Sequence, residues 1–326
     1  MALLPGNERL ESGAMTNRLR RFALLNALLL APAAAAADQP AGPAGDAPAA
    51  APGSPVAAGA DAIVVTGDRP PLDRREVTRQ ARAISRDGDV WHTPLARFED
   101  RACPGVFGLR QDTAELVVGR FRMIAEDLNI PLAPEGQCQP NIIVAFVEDG
   151  RASLAEVNRK TRQISEVLSV NESRELLEEP GPVRVFSVVE TRTASGMPVP
   201  RRRDMVNIPV ARQEGGQSLI TTTTRQDIVK VVVLFDREAV KGKTVHQLAD
   251  YAVMRAFART RDAEGERAPD SILGLFDEGN PAPAEGLTEF DRAFLATLYE
   301  GVPHIKGINK LLRVGHNLEK RAEAGE

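Results

Sequence analysis

The stretch Asn141-Ile142-Ile143-Val144-Ala145-Phe146-Val147 is a nearly continuous apolar run with the length of a single β-strand. A strand that is apolar at almost every position is typical of a sheet covered on both faces. The segment before it predicts a helix, because Asp112 and Glu115 have the spacing of a capping box and apolar residues then recur at helical spacing up to Pro131. These elements favour a single-domain α/β (α+β) fold in which helices cover a layered mixed sheet.

Further helices and strands are predicted beyond this core. A long helix is predicted over residues 153–177, and another begins near Thr244 and runs to about Thr260. Stretches rich in β-branched and apolar residues predict strands at residues 183–191, 205–210, 218–224 and 228–235. Only Arg225-Gln226-Asp227 separates the last two strands, so a hairpin is expected there.

The N-terminus has the three parts of a secretory signal, which predicts a signal peptide over residues 1–37. These parts are a basic cluster, an apolar run and a small-residue cleavage zone, at residues 18–21, 22–30 and 33–37. The signal begins naturally at Met15, which is an alternative start. The apolar run is shorter than the about 20 residues of a membrane-spanning helix, so no stable transmembrane anchor is expected after cleavage. The expected location is therefore the periplasm or the secreted fraction.

A compositional shift predicts where the folded domain lies. Residues 38–62 contain ten Ala, five Pro and four Gly, so they cannot bury enough apolar surface to offset the entropy of ordering. We therefore expect a disordered linker and tether over residues 38–93. The globular domain is predicted at residues 94–300, and a C-terminal tail at residues 301–326.

One segment of this linker resembles part of another protein class. Ile63-Val64-Val65-Thr66-Gly67 is similar to a segment near the N-terminus of many TonB-dependent outer-membrane receptors. It is interpreted either as a short β-prone stretch that ends the linker, or as an extended segment that adds a strand to the sheet edge of a partner protein. Nothing downstream resembles the receptors' barrel.

Charge and cysteine content exclude several classes of protein. The 326 residues carry a net charge of −4 with no basic excess, which argues against a nucleic-acid-binding protein. Two cysteines are too few for a disulfide-dense scaffold or a cysteine-rich zinc site. In an exported chain the isolated pair Cys103 and Cys138 predicts a structural disulfide, since a thiol redox pair usually has the spacing C-x-x-C.

The helix that starts near residue 244 resembles the active-site helix of metzincin zinc peptidases, whose motif is His-Glu-x-x-His-x-x-Gly-x-x-His. Of that motif this chain keeps only the first histidine, His246. The general-base glutamate falls on Gln247, the second ligand on Asp250, the turn glycine on Val253 and the third ligand on Ala256. The resemblance thus implies His246 and Asp250 as metal ligands, whereas a catalytic zinc needs about three from the protein.

The resemblance extends over about residues 100–300. Ser271-Ile272-Leu273 is similar to the turn that lies beneath the metal in that family, and Thr288 with Asp291 forms a capping-box-like pair at the start of the final helix. The stretch from Leu248 to Arg255 also resembles a family of exported alphaproteobacterial proteins of unknown function. The fold expected from these likenesses is metzincin-like.

These observations support three hypotheses of function. We favour a catalytically silent metalloprotease-like domain without catalytic residues or cofactor, which acts by binding an envelope protein partner. The alternative is a divergent zinc-dependent hydrolase or peptidase that uses His246 and Asp250. A second alternative is an accessory of TonB-type uptake that acts through residues 63–69.

Overall fold

The computed structural model describes residues 73–161, 168, 170–179, 181–199, 218–262 and 270–325. All of them belong to the compact unit Leu72–Glu326, and the unit Met1–Pro71 lies outside the described residues. The predicted signal peptide, most of the predicted linker and the segment 63–67 therefore lie outside the described residues. The strand predicted at 205–210 does so as well.

The described residues form a four-stranded mixed sheet. Its strands are β1 (Pro104–Phe107), β2 (Ile142–Val147), β3 (Val183–Thr193) and β4 (Thr224–Asp236), and their order across the sheet is β1-β2-β4-β3. β2 pairs in parallel with β1 and β4, whereas β3 pairs antiparallel with β4. The predicted α/β class with a mixed sheet is confirmed.

Helices surround this sheet. Within the described residues they are, in chain order, α1 (Arg74–Ile84), α2 (Gln111–Asp127), α3 (Gly150–Thr161), α4 (Val170–Glu178), α5 (Val245–Phe257), α6 (Glu289–Tyr299) and α7 (Gly307–Gly325), with a 3₁₀ turn at Ile272–Gly274. Among these residues no helix combines the length and the apolar character needed to cross a membrane.

The core lies where β2, β4 and α5 meet. Ile142, Ile143 and Val144 of β2 are fully buried, as the continuous apolar run predicts. Every residue of α5 from Gln247 to Phe257 is buried, so this helix has no solvent-facing side beyond its first turn. The ring of Phe257 makes edge contacts with three other aromatic rings, those of Phe98, Phe121 and Tyr299. A helix buried on all sides makes α5 the central element of the domain.

The hairpin predicted at Arg225-Gln226-Asp227 is wrong. These residues lie inside β4, where Arg225, Gln226 and Asp227 pair with Arg192, Thr191 and Glu190 of β3. Their polar side chains, which suggested a turn, instead form ion pairs on the sheet: Arg225 Nη2 and Arg192 Nη1 lie 3.0 and 3.2 Å from Asp227 Oδ2. β4 therefore begins at Thr224, and residues 218–223 are not a strand.

Two predicted helix bounds differ from the structure. α2 begins at Gln111 after the extended residue Arg110, so Asp112 lies in the first turn and is not the N-cap. Its carboxylate accepts a hydrogen bond from its neighbour Thr113 and not from residue 115. In place of the single helix predicted at 153–177, the structure has two helices, α3 and α4. Most of the residues between them lie outside the residues that the structure describes.

The predicted domain boundaries, 94 and 300, are too narrow. α1 lies in the predicted linker and buries Val77, Ala81 and Ile84 in the core, while α7 lies in the predicted tail and buries Leu311 and Val314. The two helices pack against each other. Their apolar positions are separated by many charged residues, because each helix buries only one face. Such a sparse apolar pattern is also typical of exposed segments, which is why a linker and a tail were predicted at these positions.

The two cysteines lie together, as their isolation in the sequence predicts. Cys103, just before β1, and Cys138, before β2, are joined by a disulfide with a Cα–Cα distance of 6.2 Å. The loop that this bond closes contains all of α2. Closing it restricts the unfolded chain, which stabilises the folded domain by about 4 kcal/mol in the entropic account.

Candidate functional site

Gln247, at the place of the general-base glutamate, is held at the start of α5. Thr244 is the N-cap: its Oγ1 accepts a hydrogen bond from Gln247 N at 3.1 Å, and its own N donates to Gln247 Oε1 at 3.0 Å. The side-chain amide of Gln247 also donates to the carbonyl of Ala284 at 2.9 Å. Both ends of this side chain therefore have structural partners, and its amide has no basic group to accept a proton from water.

Asp250 lies one turn further along α5 and is fully buried. Arg120 of α2 binds it through two nitrogens, with Nε 2.5 Å from Oδ1 and Nη2 2.8 Å from Oδ2. The backbone N of Leu287 donates to the same Oδ2 at 2.7 Å. A bidentate arginine and a backbone N–H neutralise and orient this carboxylate, so Asp250 links α2, α5 and the segment before α6.

His246 and Asp250 lie together, as their spacing predicts. His246 Nε2 is 3.4 Å from Asp250 Oδ2, and the imidazole is about half exposed. Residues i and i+4 share one face of a helix, which explains this proximity without a ligand. The two other residues aligned with the motif, Val253 and Ala256, are fully buried and offer no ligand atom.

The backbone of Gly286 covers the pair formed by His246 and Asp250. A Cβ placed on Gly286 would lie 2.7 Å from Asp250 Oδ2 and 2.8 Å from His246 Nε2. No group of three His, Cys, Asp or Glu side chains in the described part of the chain could hold a metal ion. The residues present at this position therefore do not fit a catalytic zinc, which needs about three protein ligands and one open position.

Gly286→Ala is expected to lower the free energy of unfolding by about 1–3 kcal/mol, because Arg120 fixes the carboxylate that the new methyl group would meet. Urea denaturation followed by circular dichroism measures this loss. Gly88→Ala is the control, since a Cβ there meets nothing within 4 Å. Equal effects of the two substitutions would show that the space above Asp250 is open.

The turn predicted at Ser271-Ile272-Leu273 is tied to α6 by Asp291. This fully buried carboxylate accepts hydrogen bonds from Ser271 Oγ at 2.5 Å, from Ile272 N at 2.8 Å and from Thr288 N at 3.0 Å. Thr288 Oγ1 in turn accepts from Asp291 N, which completes the predicted capping box. Burial raises the pKa of Asp291 to about 6, although its hydrogen-bond donors act in the opposite direction.

A second polar cluster lies at the other end of α5, and sequence reasoning missed it. Arg255 is fully buried; its Nη1 donates to Asp262 Oδ1 at 2.5 Å and to the Tyr251 hydroxyl at 3.1 Å. The Tyr251 hydroxyl donates to the same Asp262 oxygen. A signal existed in the sequence, because Arg255 is the only charged residue among the apolar positions of the last two turns of α5.

Comparison of the chain with family models, with curated proteins and with solved structures finds no match. The resemblances to metzincin peptidases and to exported alphaproteobacterial proteins therefore stay predictions.

Proposed function

We propose that this domain acts by binding a partner in the cell envelope and does not catalyse metal-dependent hydrolysis. The observation that carries the proposal on catalysis is the bidentate pair of Arg120 with Asp250. A metal ion at Asp250 would have to displace a guanidinium that already neutralises a fully buried carboxylate. Breaking a buried pair of this kind leaves an uncompensated charge and costs several kcal/mol.

Two further contacts support the same proposal. Gln247 is used by the N-terminal cap of α5, and the backbone of Gly286 comes so close to His246 Nε2 and Asp250 Oδ2 that even a Cβ there would clash with both. An envelope location agrees with the disulfide between Cys103 and Cys138, since such bonds persist in oxidising compartments. The proposed partner is an envelope protein, in keeping with the export signal expected from residues 1–37.

One observation favours the alternative, a divergent zinc hydrolase. His246 is about half exposed and lies 3.4 Å from Asp250, so an imidazole and a carboxylate are available as two ligands of a shared ion. This alternative needs a third ligand and the release of Arg120. It therefore predicts that zinc binding depends on His246.

Metal analysis of the purified mature protein separates the two functions. After incubation with Zn²⁺ and dialysis, we expect no stoichiometric zinc and no change in melting temperature with Zn²⁺ or with a chelator. His246→Ala is expected to change neither result, and His316→Ala, which removes another exposed histidine, is the matched control. About one tightly bound zinc per chain that is lost only in His246→Ala would overturn the proposal.

A further inference from the structure

The outer face of α2 carries large apolar side chains in contact with solvent. Leu116 is 66% exposed and Met123 is 43% exposed. The side of α2 that faces the core is formed by other residues, namely Val117, Phe121, Ile124 and Ala125. The helix α2 therefore has a second apolar face in addition to the one that it buries in the domain.

A glycine lies between the two exposed apolar side chains. Leu116, Gly119 and Met123 are separated by three and then four positions, which is the spacing of a seam between two packed helices. A Cβ placed on Gly119 would meet no atom of the described residues within 4 Å, so the surface is open at this point. A second helix can therefore approach the backbone of α2 closely here. We call these three residues the outer seam.

The residues of this face weaken the helix that carries them. A glycine in the interior of an exposed helix is less favourable than alanine, and the open space around Gly119 shows that packing does not require it. Glu126 and Asp127 lie in the last turn of α2, which has no basic residue, and the negative end of the helix dipole repels carboxylates there. Residues that weaken their own element are typical of functional surfaces.

Four carboxylates flank the outer seam. Asp112 and Glu115 lie before Leu116, while Glu126 and Asp127 follow Met123, and all four side chains are exposed. Among the described residues Asp112 alone of these four has an ion-pair partner, the exposed Arg110. The two ends of the seam are therefore acidic.

The basic residues of α2 do not balance this charge. Arg120 neutralises the buried Asp250, and Arg122 lies 3.9 Å from Glu135. The outer face of α2 therefore keeps an excess of negative charge, which complements a partner that carries basic side chains beside its apolar ones. A second copy of this chain would present the same carboxylates, so repulsion disfavours a dimer through this face.

We propose that the outer seam binds an amphipathic helix of the envelope partner. Apolar side chains of that helix pack against Leu116 and Met123, its backbone approaches α2 over Gly119, and its lysine or arginine side chains pair with the flanking carboxylates. The alternating spacing of the seam corresponds to a crossing angle of about +20°, so the two helices lie side by side. The inference rests on the proposed function, because it names the chemistry of the partner.

A designed helical peptide of about three heptads is the probe. It has leucine at the a and d positions, lysine at e and g and alanine elsewhere, and its matched control has glutamate in place of every lysine. In calorimetric titrations of the purified mature protein we expect the lysine peptide to bind at least about tenfold more tightly, and to bind more weakly as salt is added. Equal binding of the two peptides, or no binding of the lysine peptide, would overturn the proposal.

Gly119→Gln separates binding from folding. Glutamine is a better helix former and its side chain enters open space, so the melting temperature is expected to rise by about 2 °C. The same side chain obstructs the outer seam, so the lysine peptide should bind about tenfold more weakly. Gly88→Gln, at another glycine with open space around it, is the matched control and should leave peptide binding unchanged. Undiminished peptide binding by Gly119→Gln would contradict the proposed site.

Further variants locate the peptide and test for a second copy. Leu116→Gln is expected to weaken peptide binding, whereas Leu312→Gln, at a similarly exposed leucine of α7, should not. Glu126→Gln should weaken binding and reduce its salt dependence, with the exposed Glu323→Gln of α7 as the control. Sedimentation of the protein alone should show a monomer, and a dimer that Gly119→Gln abolishes would make a second copy the occupant and refute the proposal. None of these results depends on the zinc analysis.

Discussion

Asp250→Ala should lower the free energy of unfolding by about 3–5 kcal/mol, the range found when one partner of a buried ion pair is removed. The substitution leaves the guanidinium of Arg120, which is only 15% exposed, without its counter-ion. It also removes the acceptor for the backbone N of Leu287. Urea denaturation of the mature protein, followed by circular dichroism at neutral pH, measures the loss.

Two comparisons make this result specific. Glu238→Ala removes an exposed carboxylate that pairs with Lys241, and its effect should stay within about 0.5 kcal/mol. Asp250→Leu combined with Arg120→Met should recover part of the lost stability, because no buried charge is then left alone. If Asp250→Ala lowers the free energy of unfolding no more than Glu238→Ala does, the carboxylate of Asp250 is not a structural anchor and is free to bind a metal.

Asp291→Ala is expected to lower the free energy of unfolding by about 3 kcal/mol, because it leaves two buried donors and one half-buried donor without an acceptor. These donors are Ser271 Oγ, Ile272 N and Thr288 N. Ser271→Ala removes only one of them and should cost about 1 kcal/mol. Chemical denaturation measures both, and similar losses for the two variants would mean that Asp291 does not connect the turn to α6.

The same residue predicts a pH dependence whose sign follows from its burial. Burial raises the pKa of Asp291 to about 6, so between pH 4 and 6 the folded protein keeps a proton that the unfolded chain has released. The free energy of unfolding contributed by Asp291 therefore falls as pH rises through this window, by about 3 kcal/mol. The difference in the free energy of unfolding between wild type and Asp291→Asn, measured at several pH values, isolates this contribution.

Asp112→Asn, which changes an exposed carboxylate at the start of α2, is the control for that measurement. The free energy of unfolding of Asp112→Asn, compared with that of wild type, should show no change of comparable size over the same range of pH. A difference for Asp291→Asn that rises with pH would mean that the three donors outweigh burial and hold the pKa of this carboxyl below its usual range.

The sequence predicted those elements whose stabilising residues are close neighbours along the chain. The strand Ile142–Val147 could be read because burial on both faces leaves a continuous apolar run. The capping box of Thr288 and Asp291 could be read because both partners lie within one helical turn. β4 was misread at Asp227, whose partner Arg192 lies on another strand and leaves no local trace.

The candidate site depends on contacts that no local pattern contains. His246 and Asp250 could be placed on one face from the sequence because they are one turn apart on the same helix, and their side chains lie 3.4 Å apart. Arg120 was missed because it lies 130 positions from Asp250, and only the packing of α2 against α5 brings it there.

The disulfide between Cys103 and Cys138 has a consequence for the charge balance of α5. Arg120 lies within the loop that this bond closes, so the covalent tether raises the effective concentration of the guanidinium at Asp250. Reduction would remove the tether and leave only the packing of α2 to supply the counter-ion. We therefore expect reduction of this disulfide to loosen the pair of Arg120 with Asp250 as well as to destabilise the domain.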